Sequence, residues 1–157
     1  MPHDRMWEER RMMEEEVPVI LTITGRQTDP EEDPPQTRES TAVYEAVCMA
    51  RDGEYRFRYL AEGEEACLLL SKTCARMERG DARGTRMLFD PAVPSTKCAY
   101  RTPYGTIPME IRTERITLMD GGFPAGARVR ARIKYTLSME PGIRLECRVT
   151  IRSGQHG

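Results

Sequence analysis

Only two histidines, His3 and His156, occur in the 157 residues, and both fall in terminal segments. Chain ends are poorly ordered unless tied down, so neither is placed to act as a general base or to anchor a metal site. The five cysteines, Cys48, Cys67, Cys74, Cys98 and Cys147, are odd in number and form no C-x-x-C pair. That pattern suits buried thiols in a reducing compartment better than a disulfide framework. No run of about 18 apolar residues is present to span a bilayer, and the charged N-terminus lacks the apolar stretch of a signal peptide. The expected compartment is therefore the cytoplasm, with no membrane partner.

Aromatic residues make up 6% of the chain, which disfavours a stacking surface for bases. With 24 basic and 25 acidic residues the formal charge is -1, so no global field draws the molecule to nucleic acid. There is no G-x-S-x-G elbow, no Walker loop and no G-x-G-x-x-G opening a helix. Carboxylates do cluster, as Glu62 with Glu64 and Glu65 or Glu110 with Glu114, but a catalytic pair needs burial that separates the two pKa values. The glycine-flanked segment at 80–84 lies between short strands and reads as a turn. These absences together point to a protein that is not an enzyme, with no cofactor implied.

What the sequence does contain is alternation. Residues 1–16 form a charge-dense extension whose apolar material is Met6, Trp7, Met12 and Met13, either a tail or a short docked helix. From Val17 the period becomes two: Val19, Leu21 and Ile23 alternate with Ile20, Thr22 and Thr24. Asp29 to Gln36, with Pro30, Pro34 and Pro35, reads as a loop because proline cannot donate to a ladder. A strand over about 37–50 follows, then the Asp52-Gly53 turn, then a return strand in which Tyr55, Phe57 and Tyr59 oppose Arg56 and Arg58. Shorter strands are expected around 67–70, 75–78, 86–89 and 97–102, with a loop at 62–65.

The strand after Thr102-Pro103-Tyr104-Gly105 carries a parity change. Ile107, Met109 and Ile111 share one face whereas Ile116 and Leu118 fall on the other, which places a β-bulge near 113–115. The last hairpin alternates Val129, Ala131, Ile133, Tyr135, Leu137 and Met139 with Arg128, Arg130, Arg132, Lys134, Thr136 and Ser138, and returns through Ile143, Leu145, Cys147, Val149 and Ile151. Simple register sets Ser138 opposite Arg144, Lys134 opposite Arg148 and Arg130 opposite Arg152. About ten strand candidates joined by turn signals specify an all-β fold, a closed antiparallel up-and-down barrel of about eight to ten strands over residues 17–153, with 154–157 as a tail.

Four segments resemble a known family. Ile23-Thr24-Gly25-Arg26-Gln27, the stretch from Gly53 to Tyr59 followed by Glu62, Arg86-Met87-Leu88-Phe89, and Thr102-Pro103-Tyr104-Gly105 are similar, in order and spacing, to the YwiB-like bacterial proteins of unknown function. The resemblance runs over about residues 17–152. It implies a calycin-type barrel, related in architecture to lipocalins, and brings no catalytic residues with it.

Two binding readings follow. In the first, a small molecule sits in the barrel, held by Tyr55, Tyr59, Glu62, Tyr100 and Tyr104; the alternative is that these aromatics simply fill the core. In the second, the basic outer face of Arg130, Arg132, Lys134, Arg148 and Arg152 binds RNA, another polyanion or a protein; the alternative is that Glu110, Glu114 and Glu146 neutralise that face locally.

Overall fold

The computed structural model describes residues 16–80, 85–121, 126–140 and 142–155, and among these every regular element is a strand. In chain order they are β1 (Val17–Asp29), β2 (Gln36–Arg51), β3 (Glu54–Ala61), β4 (Glu64–Leu70), β5 (Ala75–Arg79), β6 (Thr85–Phe89), β7 (Thr96–Thr102), β8 (Gly105–Asp120), β9 (Val129–Met139) and β10 (Ile143–Gln155). The expected extension at residues 1–15, both histidines and most of the 80–84 turn lie outside the described residues. β10 runs two residues past the expected domain end, with Gly154 opposite Ile20 and Gln155 opposite Val19.

All pairings are antiparallel, in the order β6-β5-β4-β3-β2-β1-β10-β9-β8-β7. Tight turns produce this meander. Asp52 and Gly53 have φ of 51° and 76°, and Glu62 and Gly63 have φ of 53° and 81°, so both are two-residue hairpins with two left-handed positions. The loop expected over 62–65 is therefore only Glu62-Gly63, because the pair supplies the twist that the flanking strands need. The bulge lies where the parity change put it, with the β8–β9 register shifting between Thr113 and Arg115.

The first and last strands pair with each other, so the barrel meets its seam in the middle of the chain. Between β6 and β7 no ladder forms. The six residues joining them include Pro91 and Pro94, which cannot donate and do not make a tight turn. The seam is instead stitched by side chains, with Thr96 Oγ1 donating to the Leu88 carbonyl at 2.6 Å. The result is a nearly closed, ten-stranded antiparallel barrel.

One face of each strand fills the interior. Val19, Leu21, Cys48, Phe57, Leu68, Leu70, Phe89, Val129, Ile133 and Ile151 are fully buried. Phe89 on β6 meets Tyr135 on β9 edge-to-face, with centroids 4.8 Å apart. Those strands are not neighbours, so the contact crosses the lumen and fills it. At one end Gly121 and residues 126–128 are tied to the barrel: Ser153 Oγ donates to the Gly126 carbonyl at 2.6 Å and accepts from the Val129 amide at 3.0 Å, and Gly121 N donates to the Arg128 carbonyl at 2.6 Å. Gly126, at φ +89°, lies against Cys48, where a Cβ would meet Sγ at 2.3 Å.

Candidate anion-binding face

The residues first considered for a lumenal site do not converge. Tyr55 points inward and is buried, but its hydroxyl donates to Asp120. Tyr59 lies four residues further along β3, about 13 Å away at strand rise. It stacks on Tyr44 with centroids 4.6 Å apart, and burial together with Tyr44 pushes its hydroxyl up to about 12. Glu62 stands exposed on its turn and pairs with Arg79 at 2.8 Å. Tyr100 is 46% exposed and Tyr104 fully exposed, because the β7–β8 hairpin carries both beyond the packed interior. The five residues are thus not brought to one lumenal seat: core side chains occupy the central volume, and Tyr100 and Tyr104 face solvent.

Burial also disfavours ionisation of the core thiols. Cys48, Cys98 and Cys147 are buried, Cys67 and Cys74 half-buried, and all are unbridged. Desolvation, with a smaller contribution from Asp120, pushes Cys48 up to about 12, and desolvation pushes Cys147 up to about 11. A thiol held protonated is a poor nucleophile and a poor metal ligand. Among the described residues no group of His, Cys, Asp or Glu side chains is arranged to hold a metal ion, and no helix is long and apolar enough to cross a membrane.

The outer face of β2-β1-β10-β9-β8 is different. Alternation turns the even residues of β1, β9 and β10 outward, and the ladders then set them in rows across the sheet. One row reads Glu39, Arg26, Arg148, Lys134, Arg115; the next reads Thr41, Thr24, Thr150, Arg132, Thr117; the third reads Val43, Thr22, Arg152, Arg130, Met119. Neighbours within a row are about 4.8 Å apart at the backbone. The expected opposition of Lys134 with Arg148 and of Arg130 with Arg152 is present, and Arg26 extends it.

A cavity of about 560 Å³ opens on this face, lined by Arg26, Arg130, Arg132, Arg148 and Arg152, with Glu39 at its β2 edge. Among the described residues none of these five guanidinium groups has an ion pair. Lys134 pairs with Glu114 at 3.3 Å, whereas the arginines share only Glu39, which lies across the ladder from Arg26 without forming an ion pair among the described residues. Directly opposed like charges weaken a sheet, so the arrangement is an expense that packing alone does not explain. A larger cleft, about 890 Å³, lies beside Tyr44 and Tyr59, where Arg58 pairs with Glu16 and Glu78 lies between Arg76 and Arg86, so its lining carries no comparable group of unpaired arginines. Nothing in it converges on a ligand.

Sequence reasoning found the β9 and β10 members of this face and missed Arg26 and Arg115. Arg26 occupies an outward position of β1, a signal that alternation already carried. Its place beside Arg148, however, depends on β1 pairing with β10, a contact across nearly the whole chain.

A ten-stranded antiparallel meander barrel with a packed interior and a basic outer concavity is the class these features define. The chain belongs to the family described as a domain of unknown function, DUF1934, whose model matches residues 21–151. Its fold is similar to that of the YwiB protein from Bacillus subtilis, with a TM-score of 0.62 at 16% identity, over 93% of this chain and 99% of that one. No curated protein matches the sequence.

Proposed function

We propose that this protein is a non-enzymatic binding module that holds a phosphate- or sulfate-bearing anion on the outer face of β2-β1-β10-β9-β8. The observation that carries the reading is the set of five arginines that line one cavity and, among the described residues, make no ion pair, against a single carboxylate in the lining, Glu39. Guanidinium groups present planar, paired donors that match phosphate oxygens, and they are less strongly hydrated than ammonium groups. An anion seated among them relieves the cross-strand repulsion, so ligand affinity and sheet stability rise together. A polyanion is the ligand class on this reading. The five unbridged thiols fit a reducing cytoplasm as the place of action.

The lumenal reading, in which a calycin-like barrel holds a small molecule inside, is less well supported, because Phe57, Phe89, Leu21 and Ile133 occupy the space such a molecule needs. Titration with heparin, polyphosphate and an RNA oligonucleotide over a range of salt concentrations tests the outer face. We expect binding whose logarithm falls linearly with the logarithm of salt. Substituting Arg130, Arg148 and Arg152 with Gln should weaken it at least tenfold without lowering the thermal midpoint, since exposed charges contribute little to folding. A wild-type protein that binds none of the three at low salt, or binds with no salt dependence, refutes the reading.

A further inference from the structure

Resting on that reading, we infer that the natural ligand is compact, a small molecule or short chain bearing several phosphate groups, and that the site is not a track for a polynucleotide. The arrangement of the five arginines is the first ground. Arg26 and Arg148 form one opposed pair and Arg130 and Arg152 another, while Arg132 occupies the threonine row between them. Arg132 is opposite Thr150, and so diagonal to both Arg148 and Arg152, at the roughly 7–8 Å of diagonal sheet neighbours. Two arginine pairs with a fifth arginine between them surround a cluster of anionic groups from several sides. The threonine hydroxyls of the middle row stand between the pairs, Thr24 sharing a hydrogen bond with Thr41 at 3.2 Å.

The boundaries of the patch are the second ground. Glu39 ends the first row on the β2 side, and Glu45 follows Val43 on the same face of β2. One row below the first, Glu146 faces Thr28 and Thr136, and Glu114 sits on Lys134. A long phosphate backbone leaving the cavity in those directions meets further carboxylates within one or two rows, whereas a compact ligand meets only Glu39, at the β2 edge of the cavity. With a whole-molecule charge of -1, no wider field extends the basic patch.

The third ground is what the face does not present. The outward positions of β2, β1, β10, β9 and the second half of β8 carry Arg, Lys, Thr, Ser, Glu and apolar non-aromatic residues, and no Phe, Tyr or Trp. Single-stranded nucleic acid is held largely by stacking its bases on aromatic rings, and here there is none to use. A cavity of about 560 Å³ falls within the size range of small-ligand sites.

Calorimetric titration of the full chain with orthophosphate, pyrophosphate, tripolyphosphate and long-chain polyphosphate, beside single-stranded and duplex RNA of about 20 units, tests this inference. Affinity should climb at least tenfold from orthophosphate to tripolyphosphate and then level off per bound molecule, with neither RNA binding more tightly than tripolyphosphate. Arg132→Gln should lower tripolyphosphate affinity at least tenfold, and Arg132→Lys should restore only part of it, with the thermal midpoint unchanged in both. Affinity that keeps growing with chain length, or either RNA as the tightest binder, overturns the compact ligand while leaving the anion-binding face in place. An Arg132→Gln protein that binds tripolyphosphate as the wild type does also overturns it. Failure of every anion to bind removes both this inference and the function it rests on.

Discussion

Replacing Gly126 by alanine asks whether Gly126 packs on Cys48 at the barrel end as the structure has it. Two costs arise. The backbone at φ +89° lies where an L-residue is strained by about 1–2 kcal/mol. The new methyl would sit 2.3 Å from Cys48 Sγ and 3.0 Å from its Cβ, an overlap in a fully buried site that costs about 1–3 kcal/mol to relieve. The single substitution should therefore lower stability by about 3 kcal/mol. Cys48→Ala alone leaves a small void and should cost about 1–2 kcal/mol. In the double variant the sulfur that blocks the methyl is gone, so the combined loss should fall short of the two single losses by at least about 1 kcal/mol. Urea unfolding of all four proteins in reductant measures the cycle. A Gly126→Ala protein as stable as the wild type, or strict additivity in the double variant, would refute the contact.

Stability should also fall as the solution is made alkaline. An unfolded thiol ionises near its ordinary value of 9.0, whereas folded Cys48 keeps its proton to about 12 and Cys147 to about 11. The folded state binds more protons through that window, so unfolding free energy is flat below about pH 9 and drops above it by up to about 1.4 kcal/mol per pH unit for each group. Urea midpoints from pH 7 to 11 check this, and an unchanged midpoint would contradict it. Thr113 Oγ1, at the bulge, is buried and has no hydrogen-bond partner among the described residues. Thr113→Val should accordingly be neutral or stabilising by about 1 kcal/mol in thermal unfolding, and a clear loss would mean that the hydroxyl is satisfied.

Much of the barrel was legible from the period-two pattern, which is a property of each strand alone. The odd positions from Val129 to Leu137 are buried, and Arg130 and Arg132 are exposed, because successive side chains of a strand leave on opposite faces whatever the strand pairs with. Asp52-Gly53 turned the chain for an equally local reason, and the parity change from Ile111 to Ile116 marked the bulge. The tyrosines were not legible in this way. Tyr55 and Tyr100 both follow the inward parity of their strands, yet one is buried and the other is 46% exposed. Alternation assigns a direction, but depth depends on which strands stand around that position.

The same division separates the two candidate sites. The alternating basic residues of β9 and β10, and the turn that sets Arg130 opposite Arg152, were determined by the sequence, since both depend on contacts within a single hairpin. Whether those charges would be neutralised, joined or left facing solvent was decided by the tertiary structure. Pairing of β1 with β10 brought Arg26 to Arg148, and Glu114 went to Lys134. Pairing of the chain's first and last strands is chosen by closure of the whole barrel, which no local pattern encodes, and that closure leaves five arginines around one cavity.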